Sequence, residues 1–352
     1  MNEVTEALLF WYDRCARTLP WRGIRDPYRT WVSEAMLQQT RVETVMGYYD
    51  RFLAEFPTLK DLADADEAKV LKMWEGLGYY SRARNLHAGA RQVMEEFGGI
   101  LPKEPEQLRK IKGIGPYMAG AIASIAYDVS VPAVDGNVIR VVSRIYHIEG
   151  NPMENPTRAE VERLAAALVP EKRAGDHNQA MMDLGATVCV PGTPDCERCP
   201  VRKFCRAEKA RDAADLPKIP GKKPPKEICY DVPLIFSGSR VLMRQRTEKM
   251  LQGLWCFPLM EGWAEEETVK QEIRKKLKIS VGDLRPAGEA KHVFTHQVWK
   301  MRIYLSEAEK GAETPKEYEW IPLEKIPELA LPAAMRVPRE TALKETCFPD
   351  GE

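Results

Sequence analysis

Four cysteines in one short loop are the residues of this chain whose type and spacing point most directly to chemistry. The loop reads CVPGTPDCERCPVRKFC over residues 189–205, and its C-x6-C-x2-C-x5-C pattern is formed by Cys189, Cys196, Cys199 and Cys205. Four thiolates on a compact loop can ligate a [4Fe–4S] cluster. A structural zinc ion and a disulfide pair are the alternatives, although zinc usually takes two separated C-x2-C pairs and this loop offers one. The spacing therefore predicts a four-iron cluster.

The composition and the remaining cysteines indicate a folded protein of a reducing compartment. The chain has 352 residues, of which 44% are hydrophobic and 30% charged, so we expect two or three domains with sizeable cores. Its first residues include early acids and the short apolar run ALLFWY, and no stretch of about 18 apolar residues follows. The other cysteines are scattered singly, as reduced thiols are: Cys15, Cys229, Cys256 and Cys347. We therefore expect a cytoplasmic protein without a membrane span, which disfavours disulfides.

The charge of the chain is balanced overall but unevenly distributed. Lys and Arg number 52, as do Asp and Glu, so no global basic field indicates a polyanionic partner. Residues 197–211 nevertheless carry mostly basic charges, and residues 218–226 carry lysines without any acid. Such runs are often only solvated surface, but the first one overlaps the cysteine loop. That overlap favours a phosphate-binding face beside the predicted cluster.

The pattern of apolar residues divides the chain into three parts. Residues 1–206 show helical periodicity interrupted by proline and glycine, as in EAKVLKMWEGL and AEVERLAAALV. Residues 207–228 are polar and rich in proline and lysine, which is typical of an interdomain linker. Residues 229–352 contain candidate strands ICYDVPLIF, RVLMRQR, HVFTHQVWKMRIYL and EYEWIPL, one helix at about 265–278, and no clear element after 337. We therefore expect a mainly α region followed by an α+β domain.

A glycine-rich turn in LRKIKGIGPYMAGAIASIAY, residues 108–127, is the second informative motif. Gly113-Ile114-Gly115 lies between two amphipathic helical stretches, where glycines allow positive φ and Pro116 suits the first position of the next helix. Backbone N–H groups at this turn would form an anion site suited to a DNA phosphate. An ordinary helix–turn–helix connection is the alternative.

These motifs together resemble a known group of DNA repair enzymes. The hairpin, the segment VDGNVIRV and the cysteine loop resemble the endonuclease III superfamily of DNA glycosylases. WVSEAMLQQTRV at 31–42, GLGYYSRARNL at 76–86 and NQAMMDLGATVC at 178–189 narrow the resemblance to the MutY family of adenine DNA glycosylases, over almost the whole chain. Membership implies an all-α, two-lobed, helix-hairpin-helix catalytic region with a [4Fe–4S] cluster, which clamps a bent, base-flipped duplex.

The same resemblance implies a substrate. The expected reaction is hydrolysis of the N-glycosidic bond of adenine mispaired with 8-oxoguanine, and also with guanine. The expected partner is double-stranded DNA containing these mispairs, bound by a monomer associated with the nucleoid.

Two carboxylates are the expected catalytic pair. Breaking an N-glycosidic bond requires a protonated leaving base and a stabilised oxocarbenium-like sugar, a logic shared with glycoside hydrolysis by two carboxyl groups. Glu34 matches the acid that protonates adenine N7, and burial in TWVSEAMLQQT would raise its pKa. Asp135 follows the apolar VSVPAV and matches the residue that stabilises the cation. Without the resemblance, Glu34 would be read as an exposed helix residue and Asp135 as an N-cap.

Tyr117 decides between hydrolysis and lyase chemistry. In the related bifunctional lyases a nucleophilic lysine stands at this point after the hairpin, but a phenol cannot form an imine. Lys110 and Lys112 precede the hairpin and do not match that position, so monofunctional hydrolysis is expected. The resemblance places Tyr117 near the two carboxylates and Asn137 in hydrogen bonds with them, with core packing and helix capping as the alternatives.

Five further residues match the family's contacts to the flipped adenine and to the gap that it leaves. Trp21 and Arg22 match the base pocket, and the Gln179 amide, which can donate and accept at once, matches an adenine contact. Gln39 and Tyr79 match an intercalating pair beside the orphaned 8-oxoguanine, where a ring or planar amide replaces lost stacking. A solvated amide at Gln179 and core packing at Tyr79 are the alternatives.

The C-terminal part resembles the Nudix-like domain of this family. A Nudix hydrolase holds magnesium with clustered glutamates on one helix, whereas VKQEIRKKLKI retains Glu272 among basic residues, so we expect recognition instead of pyrophosphate hydrolysis. HVFTHQVW at 292–299 matches a hairpin loop that reads 8-oxoguanine, with Phe294, Thr295 and His296 in place of Phe-Ser-His. Threonine keeps the hydroxyl and adds a methyl. A plain amphipathic strand is the alternative.

Two other functions are compatible with parts of the pattern. An endonuclease III-like glycosylase–lyase for damaged pyrimidines would share the scaffold, but Tyr117 and the second domain oppose it. A non-catalytic DNA-binding or redox-sensing iron–sulfur protein would share it too, but the presence of both Glu34 and Asp135 opposes that function.

Overall fold

The computed structural model describes residues 2–221, 224–309 and 311–345, and the chain folds into two compact units. One unit comprises Met1–Asp64 with Asn85–Lys222, and the other comprises Ala65–Arg84 with Lys223–Glu352. The sequence did not indicate that residues 65–84 would group with the C-terminal part. The limits 1–206, 207–228 and 229–352 for catalytic region, linker and recognition domain stay a prediction.

Helices dominate the chain up to residue 210. They are α1 (Glu3–Cys15), α2 (Pro27–Leu37), α3 (Val42–Glu55), α4 (Leu59–Asp64), α5 (Glu67–Met73), α6 (Ser81–Glu96), α7 (Pro105–Leu108), α8 (Pro116–Tyr127), α9 (Gly136–Tyr146), α10 (Asn155–Leu168), α11 (Ala174–Thr187) and α12 (Arg206–Ala210). Apolar residues recurring every three or four positions place one face of each longer helix in the core, as Val138, Val141, Val142 and Ile145 do for α9. Helix α11 packs on both α8 and α9 in the first unit.

Small residues allow these central helices to approach closely. A Cβ atom at Gly185 of α11 would lie 2.6 Å from Cβ of Asn137 on α9. A Cβ atom at Gly120 of α8 would lie 2.1 Å from the carbonyl oxygen of Pro132. Neither distance is possible between real atoms, so glycine at these positions fixes where the segment around Asp135 sits against α8 and α11.

The predicted glycine turn connects a single helical turn, α7, to α8. Pro116 is the first residue of α8, as expected, but the stretch before the turn is shorter than the amphipathic helix that the sequence indicated. Gly113 has φ +86°, whereas Gly115 has φ −87° and caps α8 in an extended conformation. The expectation of positive φ therefore holds for Gly113 and was wrong for Gly115.

The second unit contains a mixed β-sheet. Its strands are β1 (Lys226–Ser237), β2 (Arg240–Gln245), β3 (Trp255–Cys256), β4 (Met260–Glu261), β5 (Arg285–Val293), β6 (Gln297–Glu307) and β7 (Glu319–Pro322). The order is β3-β2-β1-β6-β5, with β4 beside β1 and β7 beside β2. β1 and β6 are parallel and β5 and β6 form an antiparallel hairpin, so the candidate lesion-reading loop 294–296 lies at the tip of that hairpin. The candidate strands ICYDVPLIF, RVLMRQR and EYEWIPL and the Ser-Gly turn between the first two are confirmed, whereas HVFTHQVWKMRIYL is divided by the hairpin turn into the end of β5 and most of β6.

Two helices pack on this sheet. α13 (Glu266–Leu277) was expected at about 265–278, and it buries Val269, Ile273 and Leu277. α14 (Arg336–Lys344) was not expected, because its proline and alternating charges hide its short apolar face. In the part of the chain that the structure describes, no helix is long and apolar enough to cross a membrane.

Candidate active site

A buried carboxyl–phenol pair lies at the centre of the helical unit. Most of α2 is buried, and Glu34 near its end is only 5% exposed. Tyr117 in the first turn of α8 donates a hydrogen bond from its hydroxyl to Oε2 of Glu34. Burial raises the pKa of Glu34 to about 7, and the hydrogen bond from Tyr117 opposes that rise. Glu34 can therefore keep a proton near neutral pH.

Two charges near Glu34 act on it in opposite directions. The Arg22 guanidinium lowers the pKa of the Glu34 carboxyl, and the Asp135 carboxylate raises it. Both also act on Tyr117, whose pKa is raised well above its ordinary value by burial first and by the two carboxylates next. The structure therefore brings Glu34, Tyr117, Asp135 and Arg22 into one electrostatically coupled group.

Asp135 is the N-cap of α9 as well as a member of this group. Its Oδ1 accepts a hydrogen bond of 2.7 Å from the backbone N–H of Val138, and its Oδ2 accepts one of 2.7 Å from Nδ2 of Asn137. Burial raises the pKa of Asp135, while these hydrogen bonds lower it. Asp135 is thus the N-cap that the alternative interpretation expected. The same hydrogen bonds also fix its carboxylate in one orientation.

The residues expected around the adenine lie on two elements. Trp21 and Arg22 come from the turn after α1, where the Trp21 ring is buried and packs edge-on against Tyr49 at 5.4 Å. Gln179 is buried on α11. The Arg22 guanidinium donates hydrogen bonds to the Tyr12 hydroxyl and, at 2.8 Å, to Asp183.

A chain of hydrogen bonds leads from Asp135 to the cysteine loop. Asn137 bonds to Asp135, and Nη2 of Arg140 donates 2.9 Å to Oδ1 of Asn137 and 2.7 Å to the carbonyl oxygen of Gly185. Nε of Arg140 donates 2.8 Å to the carbonyl oxygen of Cys189. The first cysteine of the loop is thereby tied to the catalytic candidate through two side chains.

The four loop cysteines line one shared cavity. They are free thiols, as are Cys15, Cys229 and Cys256, so the described cysteines form no disulfide, and Cys347 lies outside the described residues. Among the described residues, no three His, Cys, Asp or Glu side chains are grouped so that they could hold a metal ion. A cluster spreads its thiolates over four irons at the corners of a cube, whereas zinc draws all its ligands to about 2.3 Å of one ion. Four thiols around a shared cavity fit the cluster better than zinc.

A buried arginine supports this cavity. Nη1 of Arg144 on α9 donates 3.3 Å to Sγ of Cys189, and the Arg144 carbonyl oxygen accepts 3.3 Å from Sγ of Cys205. Burial raises the pKa of the Cys199 thiol to about 12 and raises that of Cys205 too. Nearby positive charge favours the thiolate form of a cysteine, and bound iron would favour it as well. These buried thiols therefore suit ligands that lose their protons when a cluster binds.

Two candidate DNA-contacting segments of this unit are exposed. Gln39 follows α2 in the left-handed conformation, with φ 61° and an exposed side chain. Gly113 and Gly115 are exposed, and a Cβ atom at Gly115 would meet no atom within 4 Å. Because its φ is also ordinary, nothing within this unit requires glycine at position 115.

The remaining candidates lie together in the second unit. The Tyr79 hydroxyl and Oγ1 of Thr295 are 2.5 Å apart, within hydrogen-bonding distance. Tyr79 has φ 46° and is 45% exposed, while Thr295 and His296 are exposed at the hairpin tip. Phe294 instead packs edge-on against Trp299 at 4.9 Å, which anchors the loop to the sheet. The structure thus pairs a candidate intercalating residue with a candidate lesion reader.

Sequence reasoning missed three residues of the site. Arg140 and Arg144 are charged residues inside the apolar α9, and Asp183 is a charged residue in the apolar run MMDLGA of α11. A charge on a buried helix face signals a buried partner. The sequence could not say which partner, because the partners come from the cysteine loop and from the turn after α1.

Family models match both parts of the chain. Residues 32–171 match the model of the HhH-GPD superfamily base excision DNA repair protein, and residues 232–337 match the NUDIX domain model. The first match includes the hairpin, Glu34 and Asp135. The second covers most of the sheet described above.

Curated and solved proteins extend these matches. The chain is 36% identical to the adenine DNA glycosylase of Mus musculus and 35% identical to that of Homo sapiens, over 94% of this chain and 76% and 72% of those proteins. A structure of a thermostable thymine-DNA glycosylase is 28% identical, with a TM-score of 0.54 over 58% of this chain and 95% of that one. A non-covalent endonuclease III–DNA complex shares the fold at 21% identity, with a TM-score of 0.50 over 59% and 94%. With its helical hairpin unit, its Nudix-like sheet and these relatives, the chain belongs to the adenine DNA glycosylase family of base excision repair enzymes.

Proposed function

We propose that this adenine DNA glycosylase removes adenine mispaired with 8-oxoguanine, and also with guanine, by hydrolysis without strand cleavage. The observation that carries the proposal is the buried Glu34, whose pKa lies near neutrality and whose Oε2 accepts a hydrogen bond from Tyr117. An acid with a pKa near the working pH is the most effective proton donor to a leaving group.

Glu34 and Asp135 divide the reaction between them. Glu34 donates its proton to N7 of the flipped adenine, so the C1′–N9 bond breaks and the base leaves with the bonding electron pair. Asp135, fixed by Val138 and Asn137, faces the positive charge that develops on the sugar until water adds at C1′ and gives up a proton, which restores the acid form of Glu34. Trp21, Arg22 and Gln179 hold the base in the pocket.

Tyr117 positions the acid and excludes a lyase step. Its hydroxyl orients Glu34 and cannot form an imine with the sugar, because only an amine can do so. The product is therefore an abasic site in an unbroken strand.

The second unit supplies the choice of mispair. Extruding adenine costs a few kcal/mol of stacking, which Gln39 and Tyr79 offset by filling the gap. Thr295, with Phe294 and His296 beside it, senses position 7 of the opposite base, where guanine has an acceptor and 8-oxoguanine has a donor. The contact between Tyr79 and Thr295 supports this assignment, since it places the gap-filling ring beside the lesion reader.

The cluster and the hairpin bind the backbone. Cys189, Cys196, Cys199 and Cys205 would hold a [4Fe–4S] cluster, which when bound orders the basic loop that carries them. That loop and the exposed backbone at Gly113 and Gly115 contact DNA phosphates, and the absent side chain at Gly115 lets a phosphate approach.

Single-turnover cleavage of three duplexes tests the proposal. They contain adenine opposite 8-oxoguanine, adenine opposite guanine, or thymine glycol opposite adenine, and each is assayed with and without alkali. We expect adenine release from the first two duplexes, fastest from the first, and strand breaks only when alkali treatment follows the reaction. Cleavage of the thymine glycol duplex, or breaks without alkali, would contradict the proposal.

A further inference from the structure

A buried ion cluster stands behind the candidate acid. Asp183 lies on α11 with a side chain that is 1% exposed, and its Oδ1 accepts hydrogen bonds of 2.6 and 2.9 Å from Arg17. The same oxygen accepts 2.8 Å from Nη2 of Arg22, and Oδ2 accepts 3.3 Å from the backbone N–H of Arg17. A buried carboxylate is tolerated only with such partners, so its place in the fold depends on both arginines.

Arg22 connects this cluster to the acid. Its guanidinium bonds to Asp183 and to the Tyr12 hydroxyl of α1, and its charge lowers the pKa of Glu34. The Asp183 carboxylate accepts hydrogen bonds from Arg17 and Arg22, and Arg22 also acts on Glu34, so Arg22 is the side chain that links the two carboxyls. The charged and titratable groups facing the two carboxyls are Arg22, Tyr117 and Asp135 around Glu34, and Arg17, Arg22 and Tyr12 around Asp183.

We propose that Asp183 is a positioning residue for the glycosylase reaction, which holds Arg22 by its own carboxylate and so prevents Arg22 from ion-pairing with Glu34. The inference rests on the proposed function, because it matters only if Glu34 acts in its protonated form. An arginine released from Asp183 finds Glu34 as a nearby acid. Pairing with Glu34 stabilises the carboxylate and removes the proton that the reaction needs.

The position of Asp183 has a second consequence for the pocket. It lies four residues after Gln179 on α11, so the two side chains project from the same face of the helix. By binding the turn that carries Trp21 and Arg22, Asp183 joins the two elements between which the flipped adenine is expected.

The substitution Asp183→Asn removes the charge while keeping the shape of the side chain. Single-turnover rates on the 8-oxoguanine:adenine duplex are measured from pH 5.5 to 8.5. We expect the midpoint of the alkaline decline to move down by about one pH unit, as for a carboxyl that gains an arginine partner. The variant is then about tenfold slower than wild type at pH 8 and within about twofold at pH 5.5.

Arg17→Gln is the matched comparison. Arg17→Gln removes one of the two cations that bind Oδ1 of Asp183, so Arg22 becomes the remaining arginine partner of this carboxylate. Arg22 is then held more firmly by Asp183, and we expect the pH midpoint to move upward. A role in merely anchoring the turn predicts that both substitutions lower the rate alike at every pH. Near-UV circular dichroism and melting establish that each variant is folded, and Arg17→Gln alone decides the matter if Asp183→Asn does not fold.

Glu34→Gln, assayed in parallel, separates this inference from the proposed function. If Glu34→Gln keeps its rate, the proposed function fails. If Glu34→Gln is inactive but the pH midpoint of Asp183→Asn equals that of wild type, only the role of Asp183 is overturned. The same holds if the midpoints of Asp183→Asn and Arg17→Gln move in the same direction.

Discussion

The buried position of Glu34 makes its ionised form unfavourable, and the resulting loss in the free energy of unfolding can be measured. Its pKa is about 7 in the fold against an ordinary value of 4.5, so the protonated form is the one that the fold stabilises. The contribution of the neutral Glu34 to the free energy of unfolding is on the order of 3 kcal/mol. It is fully present below pH 4.5 and is lost as the pH rises through about 7. The proposed catalytic acid is therefore a source of instability at neutral pH.

We predict that Glu34→Gln raises the free energy of unfolding above pH 7 and changes it little at pH 4.5, because glutamine mimics the neutral carboxyl. Urea unfolding at the two pH values measures the difference. Glu162→Gln is the control, since Glu162 is a partly exposed residue of α10 that pairs with Arg158, and its loss of charge should bring no gain. Equal stability of Glu34→Gln and wild type at pH 8 would show that burial does not perturb Glu34.

Single residues were predictable from the sequence where a motif fixed their neighbours. Asp135 precedes a helix in VDGN, so a junction could be foreseen, and the structure makes it an N-cap. The hydrogen bond from Tyr117 to Glu34 joins residues 83 positions apart, and no local pattern encodes it. Asp183 and Arg140 were missed for the same reason, since their partners come from other elements.

At the level of elements, the hairpin tip and the Tyr79 segment are in contact, and we propose that they read the lesion together. We predict that Thr295→Ala combined with His296→Ala weakens the preference for 8-oxoguanine over guanine opposite adenine. One such contact is worth about 1–3 kcal/mol, so the preference should fall about tenfold or more. Equilibrium binding and single-turnover rates on both duplexes measure it, and the chemical step on bound substrate should be spared.

Two matched variants sharpen this test. Thr295→Ser keeps the hydroxyl and should keep the preference, whereas Tyr79→Phe keeps the ring and removes only the hydroxyl next to Thr295. An unchanged preference in the double alanine variant would place lesion recognition elsewhere, beside Gln39 and the Tyr79 ring.

The spacing of α9 and α11 is the second element-scale feature. We predict that Gly185→Ala slows adenine release about tenfold or more, because its Cβ would displace Asn137 and with it Asp135 and Arg140. Gly47→Ala in α3 is the control, since its Cβ would meet no atom within 4 Å and a helical alanine is favourable. If Gly185→Ala turns over as fast as Gly47→Ala, the close approach does not matter for catalysis.

Elements were more predictable than their contacts. Periodicity located α13 and β6, because each buries one regular face, whereas the turn between β5 and β6 was expected from the family resemblance. It did not reveal α14 or the single turn of α7, where short length leaves too little apolar pattern. It also could not show that residues 65–84 group with the C-terminal unit, since that depends on long-range packing.

At the scale of the whole molecule, a chain of zero net charge must bind DNA through local positive charge. We predict that anaerobically purified protein is brown and carries four irons per chain, because four thiols share one cavity. Loss of the cluster should lower DNA affinity and flatten its salt dependence, since the basic loop loses its order. Metal analysis and binding titrations at several salt concentrations measure both, and stoichiometric zinc without visible absorbance would contradict the assignment.

We propose that Glu34 and Asp135 together break the glycosidic bond. Glu34→Gln and Asp135→Asn, measured by single-turnover adenine release from the 8-oxoguanine:adenine duplex beside its binding constant, test that claim directly. We expect each variant to lose about a hundredfold or more in rate while binding the duplex nearly as wild type does. A rate within about threefold of wild type, a barrier change under about 0.7 kcal/mol, in either variant would contradict the role given to that residue.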